Sequence, residues 1–395
     1  MKKFLFLILP AAVLLVLGNG NSRSAFAQPK GQILWRLNTD IHYQGPVQRS
    51  VVDFENKVVY LATLTSLYGV REGKVEEIAR RPEKEKEARL LLAPGGDVYA
   101  WLLPDSHGRG LFYIRLFNIS GGIIAELRLK DFPYGFNAFY MGFKGRILVT
   151  ASPLDDRDGI GGRFQYTFWN QQGDILRRLP MDGQQTCVLD GAGTTILFLG
   201  KKEAVAYSPR GDKLWGLPDR FRKAAVTREG RLALLNPSSR EQINQVVVYE
   251  AGKKPETATI KTPVHGLTLT PDGSSAVVVG DQGRYFFLDP STLNVQEGQR
   301  LQSIGLEGVF YITNLRFVNP QMLAMGILHR QGQPPKATWP RSTILFMDRE
   351  GNVAFRTALE IRRATAFDPK VEVAFGSRFI VAYTEETALL IDLEK

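Results

Sequence analysis

The chain has 395 residues, 44% of them hydrophobic and 23% charged, with a single cysteine and a formal net charge of +10. That composition belongs to an ordinary globular protein and excludes an intrachain disulfide framework. The excess of positive charge is not gathered into a long basic block or a basic helix with interleaved aromatics, so no nucleic-acid partner is expected.

The N-terminus has the three parts of an export signal. Lys2 and Lys3 supply positive charge, an apolar stretch runs from Phe4 to Leu17 around Pro10, and Ala25-Phe26-Ala27 meets the small-x-small cleavage rule. Cleavage before Gln28 is expected, giving a signal peptide at 1–27 and one domain at 28–395. The apolar stretch is short for the roughly 20 residues of a span, so no transmembrane segment is expected after cleavage. No cysteine lies near the cleavage site to carry a lipid. Export without disulfides points to a periplasmic or secreted location.

From there the chain repeats one pattern: an apolar run, a tight turn, a second run, a looser link, then two more runs around another turn. The clearest copy spans 265–301, with Leu267–Thr270, a turn at Pro271-Asp272-Gly273, Ala276–Gly280, and Tyr285–Asp289. Seven such units are read at 48–81, 88–130, 136–181, 184–218, 222–261, 265–301 and 311–359. The charged stretch Arg80–Arg89, broken by Pro82, reads as a solvated link between the first two. After Ile361 three strands remain: Val371–Phe375, Phe379–Thr384 and Ala388–Leu393. One orphan strand, Gln32–Leu37, precedes the first unit. Three strands plus one complete a blade, and pairing them closes a ring without exposed edges. The fold class expected is all-β, a single β-propeller of about eight four-stranded blades, about 46 residues each. Seven blades is the alternative, because the outer strand of the fifth unit is weakly apolar.

Two motifs carry a resemblance. The outer strands Gly31-Gln-Ile-Leu-Trp35 and Gly211-Asp-Lys-Leu-Trp215 resemble those of bacterial exported, quinoprotein-type propellers. The turn Thr270-Pro-Asp-Gly273 resembles that of WD40-like repeats. The resemblance is at superfamily level. The chain differs from quinone-dependent dehydrogenases in its shorter length and its lack of an adjacent cysteine pair, and from the periplasmic propellers of outer-membrane assembly in lacking a lipid-bearing cysteine. No cofactor is expected. Trp35 and Trp215 are read as packing between blades.

Catalytic and metal-binding patterns are weak. His42, His107, His265 and His329 show no paired spacing. Asp156, Asp158 and Gly159 resemble half a calcium loop, but Leu154 occupies the first ligand position and Gln165 the bidentate one. No Gly-x-Ser-x-Gly elbow occurs, and Cys187, in Thr186–Leu189, reads as a buried packing residue. Arg210-Gly211-Asp212 reads as an ordinary turn.

Loop length carries the functional expectation. The links between second and third strands are long in four units, at Pro104–Gly110, Ser152–Arg163, Asn236–Asn244 and His329–Arg341. In a propeller these emerge on one face, where a rigid scaffold displays binding residues. The expected binding set is His107, Arg109, Asp155, Arg157, Asp158, Arg240, His329, Arg330, Trp339 and Arg341. The function read from this is a non-catalytic exported scaffold that binds a protein or an envelope polymer. The alternative is a carbohydrate- or peptidoglycan-active hydrolase or lyase at the channel mouth, with Asp155 and Asp158 transferring protons.

Overall fold

The structure is a computed structural model. It describes residues 31–38, 49–53, 58–63, 65–83, 88–103, 113–128, 138–154, 162–306, 309–331, 338–360, 369–373, 377–384 and 387–393. The signal segment, His42, His107, Arg109 and the acidic stretch 155–158 lie outside these residues.

Eight four-stranded antiparallel sheets form the blades of a β-propeller. Blades 1 to 7 occupy 49–80, 89–128, 138–182, 186–218, 221–259, 266–297 and 309–360. Blade 8 joins Lys370–Val373, Phe379–Tyr383 and Thr387–Asp392 to the N-terminal strand Gln32–Asn38, so the two chain ends close the ring. Helical structure among the described residues is confined to short 3-10 turns. The seven-blade alternative falls because the fifth outer strand does form, as Glu256–Thr259 against Gln245–Val248. It looked weak in sequence because Ala258 alone of its residues is buried, as suits an outermost strand.

The period-2 geometry of a strand explains why the middle strands are continuously apolar. In Ala276–Val279, Ala276 and Val278 pack against blade 5 while Val277 and Val279 pack against blade 7. Both faces of each blade are buried, so both register positions of a middle strand are predominantly apolar. The core is therefore eight inter-blade clusters rather than one central mass. The cluster between blades 8 and 1 contains Leu37 with Val59, Leu61, Val381 and Leu390.

The outer hairpins of blades 3, 4 and 7 share one turn chemistry. Asn170, Ser208 and Asp348 each accept, through a side-chain oxygen, the main-chain N–H four residues on, at 2.8, 3.1 and 2.7 Å. Such side chains mimic a main-chain acceptor and set the turn. Among the described residues, inner hairpins bond to each other between blades 2 and 3 and between blades 4 and 5. Lys144 N–H donates to the Pro94 carbonyl at 2.7 Å, and Glu229 N–H donates to Thr194 Oγ1 at 2.8 Å. At Gly193, φ is +66° and an added Cβ would lie 2.8 Å from the Phe143 nitrogen, so this junction requires glycine.

Blade 7 departs from the others. Its strands run 11, 10, 11 and 8 residues, at Val309–Asn319, Met322–Gln331, Thr338–Asp348 and Val353–Glu360. The second strand of blade 6, Ala276–Val279, has 4.

Candidate binding face

The ring has a turn face, with the hairpins joining first to second and third to fourth strands. Its opposite is a link face, with the connections between second and third strands and between blades. The expected site residues belong to the link face. The structure assigns four of them differently from expectation: His329, Arg330, Trp339 and Arg341 stand on strands, not on a loop. His329 and Arg330 belong to Met322–Gln331, and Trp339 and Arg341 to Thr338–Asp348; His329 is paired opposite Arg341 and Gln331 opposite Thr338. These two strands extend the blade. Set against the six-residue second strands of blades 2, 3 and 5, Met322–Gln331 is longer by about 13 Å of strand. The sequence concealed this because Arg330, Gln331 and Arg341 lack the apolar alternation of a strand buried on both faces. His329 is half-buried, with Nε2 2.7 Å from Thr343 Oγ1.

Arg240 is exposed on a 3-10 turn, Arg240–Gln242, in the blade 5 link. That link is pinned from below. Asn236, fully buried, donates Nδ2 to the carbonyls of Ile243 (3.1 Å) and Gln245 (2.7 Å) and accepts from Arg222 Nε at 2.5 Å. Arg222 also donates to the Val264 carbonyl, 2.6 Å away, in the connection to blade 6. One buried amide and one guanidinium thus tie together two adjacent links, and Arg240 is displayed on a fixed base. Of the ten expected residues, His329 and Arg341 are brought directly opposite each other. Arg240 stands on a separate blade.

The link face holds a further group that sequence spacing did not single out. His265, just before the inner strand of blade 6, contacts Asp281 through Nε2 and Oδ1, both side chains about half exposed. Pairing of Gly266 with Val279 brings them level across the hairpin, so the repeat register held the signal. Beside them a cavity of about 170 Å³ opens between the inner strands of blades 6 and 7, lined by His265, Thr268, Asn314 and Arg316 among others. Nearby, Arg284 makes a bidentate pair with Glu297 at 2.8 and 2.9 Å, which holds the Glu297 carboxyl below its ordinary range.

Cys187 lies on the innermost strand of blade 4. It is half-buried rather than buried, because that strand borders the channel. Burial nevertheless pushes the thiol up, while its hydrogen bond with the Tyr140 hydroxyl opposes the shift. A thiol so held is protonated and unreactive at neutral pH. Among the described residues, no three His, Cys, Asp or Glu side chains converge as metal ligands.

No protein-family model matches the chain, and no curated protein matches it in sequence. Solved structures do resemble it. The C-terminal WD40 domain of Sif2 aligns with a TM-score of 0.58 at 9% identity, covering 92% of this chain and 98% of that one. Raptor of Chaetomium thermophilum aligns at 0.52 and 8% identity, covering 92% of this chain and 29% of its own. Hsv2 of Kluyveromyces lactis aligns at 0.50 and 11% identity, over 75% and 89%. The ring is a β-propeller with WD40 proteins among its structural neighbours. At these identities the fold is what is shared.

Proposed function

We propose that this chain is an exported, non-catalytic binding scaffold that engages a protein or an envelope polymer through its link face. The observation that carries the reading is the extended hairpin of blade 7. It adds strand length on the link side, and its backbone bears Arg330, Trp339 and Arg341. Paired strands present such residues at lower entropic cost than a loop, and Trp and Arg dominate interface hot spots. The pinned Arg240 link adds a second cationic element to the same face. The signal-like N-terminus supports export to the periplasm or beyond. No helix among the described residues is long and apolar enough to cross a membrane.

The test is capture from envelope extract by residues 28–395, compared with a form in which 330–341 are replaced by an Asn-Gly turn. A partner retained by the first and lost by the second is the expected outcome. An identical captured set with both would remove the hairpin from the interface. A second reading, a hydrolase or lyase at the channel mouth, draws on the His265–Asp281 pair beside its cavity. Turnover of an envelope polysaccharide that vanishes in His265→Ala would establish it in place of the scaffold.

A further inference from the structure

On the turn face, three hairpins border an open groove of about 430 Å³. The inner hairpin of blade 3 contributes Lys144 and Arg146. The outer hairpin of the same blade contributes Trp169 to Gln172 and Leu176, and the outer hairpin of blade 4 contributes Pro209 and Arg210. That volume lies within the roughly 300–1,000 Å³ of ligand sites.

Its base is apolar. Trp169 is buried, with its indole N–H 3.0 Å from Thr150 Oγ1. Leu176 is the extra residue of a β-bulge: Phe168 pairs with Arg177 and Trp169 with Ile175, leaving Leu176 outside the ladder. Bulges re-aim side chains, and this one leaves Leu176 42% exposed at the groove.

Its rim is cationic, and the neighbouring acids are already engaged. Asp97 pairs with Lys144 at 2.9 Å, Asp212 with Arg177 at 3.0 Å, and Asp174 accepts from the Asn170 amide at 2.9 Å. Arg146 and Arg210 are exposed and make no ion pair among the described residues; Arg146 lies 5.9 Å from the Phe143 ring centre. Two uncompensated guanidinium groups thus stand beside an apolar floor.

We infer that this groove binds an acidic peptide segment, one large apolar side chain seated on Trp169 and Leu176 and flanking carboxylates on Arg146 and Arg210. The apolar floor favours a peptide over a polyanion, which offers charge but no apolar side chain to cover it. Guanidinium groups bind carboxylates through paired donors. The site lies on the opposite face from the proposed link-face interface and does not depend on it.

The experiment uses residues 28–395 and an array of ten-residue peptides, each with one Leu or Phe flanked by Asp and Glu, beside their Asn/Gln and Leu→Ala counterparts. Expected is binding to the acidic apolar set, weakened about tenfold or more in either counterpart set and in an Arg146→Glu/Arg210→Glu variant. Leu176→Asp should lose binding as well. Arg240→Glu and replacement of 330–341, both on the link face, should leave it unchanged, so failure of either interface is distinguishable from failure of the other. Arg146 and Arg210 are exposed, so their variants should melt as the wild type does; binding retained by that folded double variant would overturn the inference. Equal binding of acidic and amide peptides, or of Leu and Ala peptides with displacement by polyphosphate, would also overturn it, as would no binding at all.

Discussion

The indole N–H of Trp215 donates to the carbonyl of Gly230 across a blade boundary, at 2.6 Å. Trp215 stands on the outer strand of blade 4 and Gly230 in the inner hairpin of blade 5, with Tyr249 edge-on to the indole at 4.9 Å. The bond ties the rim of one blade to the turn of the next. Trp215→Phe should keep the apolar contact and lose the bond, costing about 1–2 kcal/mol. Trp215→Ala should cost about 3–5 kcal/mol by leaving a cavity. Denaturant titration of both variants checks the difference; equal losses would mean that packing alone holds this boundary.

Ring closure should be a global determinant of stability. Gln32 stands opposite Asp392 and Leu37 opposite Ala388, while Leu37 packs against Val59 and Leu61 of blade 1. Deleting residues 29–38 strips the last blade of its outer strand and exposes the edge of Thr387–Asp392. The expected result is a loss of about 3 kcal/mol or more with increased aggregation. Thermal melting with light scattering reads both.

The protein should weaken in alkali. Burial pushes the phenols of Tyr140, Tyr166 and Tyr285 and the Cys187 thiol above their ordinary values of 10.0 and 9.0. Each group releases its proton more readily once unfolded. Its stabilising contribution is complete below the ordinary value and is lost as pH rises from there toward the folded one. Stability should therefore decline from about pH 9 upward, more gently in Tyr140→Phe, where one of these groups is gone. At neutral pH the native thiol should react with a maleimide far more slowly than the unfolded one, and rapid native labelling would contradict a thiol held protonated.

Binding through the link face should depend on blade 7. Trp339→Ala is expected to weaken a captured partner about 30-fold, the effect of a buried hot-spot anchor near 2 kcal/mol. Reversing the charge of Arg330 and Arg341 should mainly slow association and reduce its salt dependence if the partner is acidic. Surface plasmon resonance at two salt concentrations separates the two effects.

The fold was legible in the sequence because a blade is a local object. Each hairpin is written within a few residues, as at Ser208 to Asp212, and the burial of both sheet faces imposes an apolar run such as Ala276–Val279. Closure by the chain ends was legible too, since three strands left over at one end matched one at the other. Trp215 as an inter-blade residue followed from its outer-strand context.

How surface residues are grouped follows from the assembled ring. Arg146, Trp169 and Arg210 share a groove because two blades lie side by side, which no spacing within a repeat encodes. His329 and Arg341 stand opposite each other because their strands continue past the length of the other blades, into a region whose polar residues carry no strand signal. Burial writes a period into the chain, whereas an exposed surface assembled from separate blades leaves none, and that is the physical reason the ring was readable and the grouping of its surface residues was not.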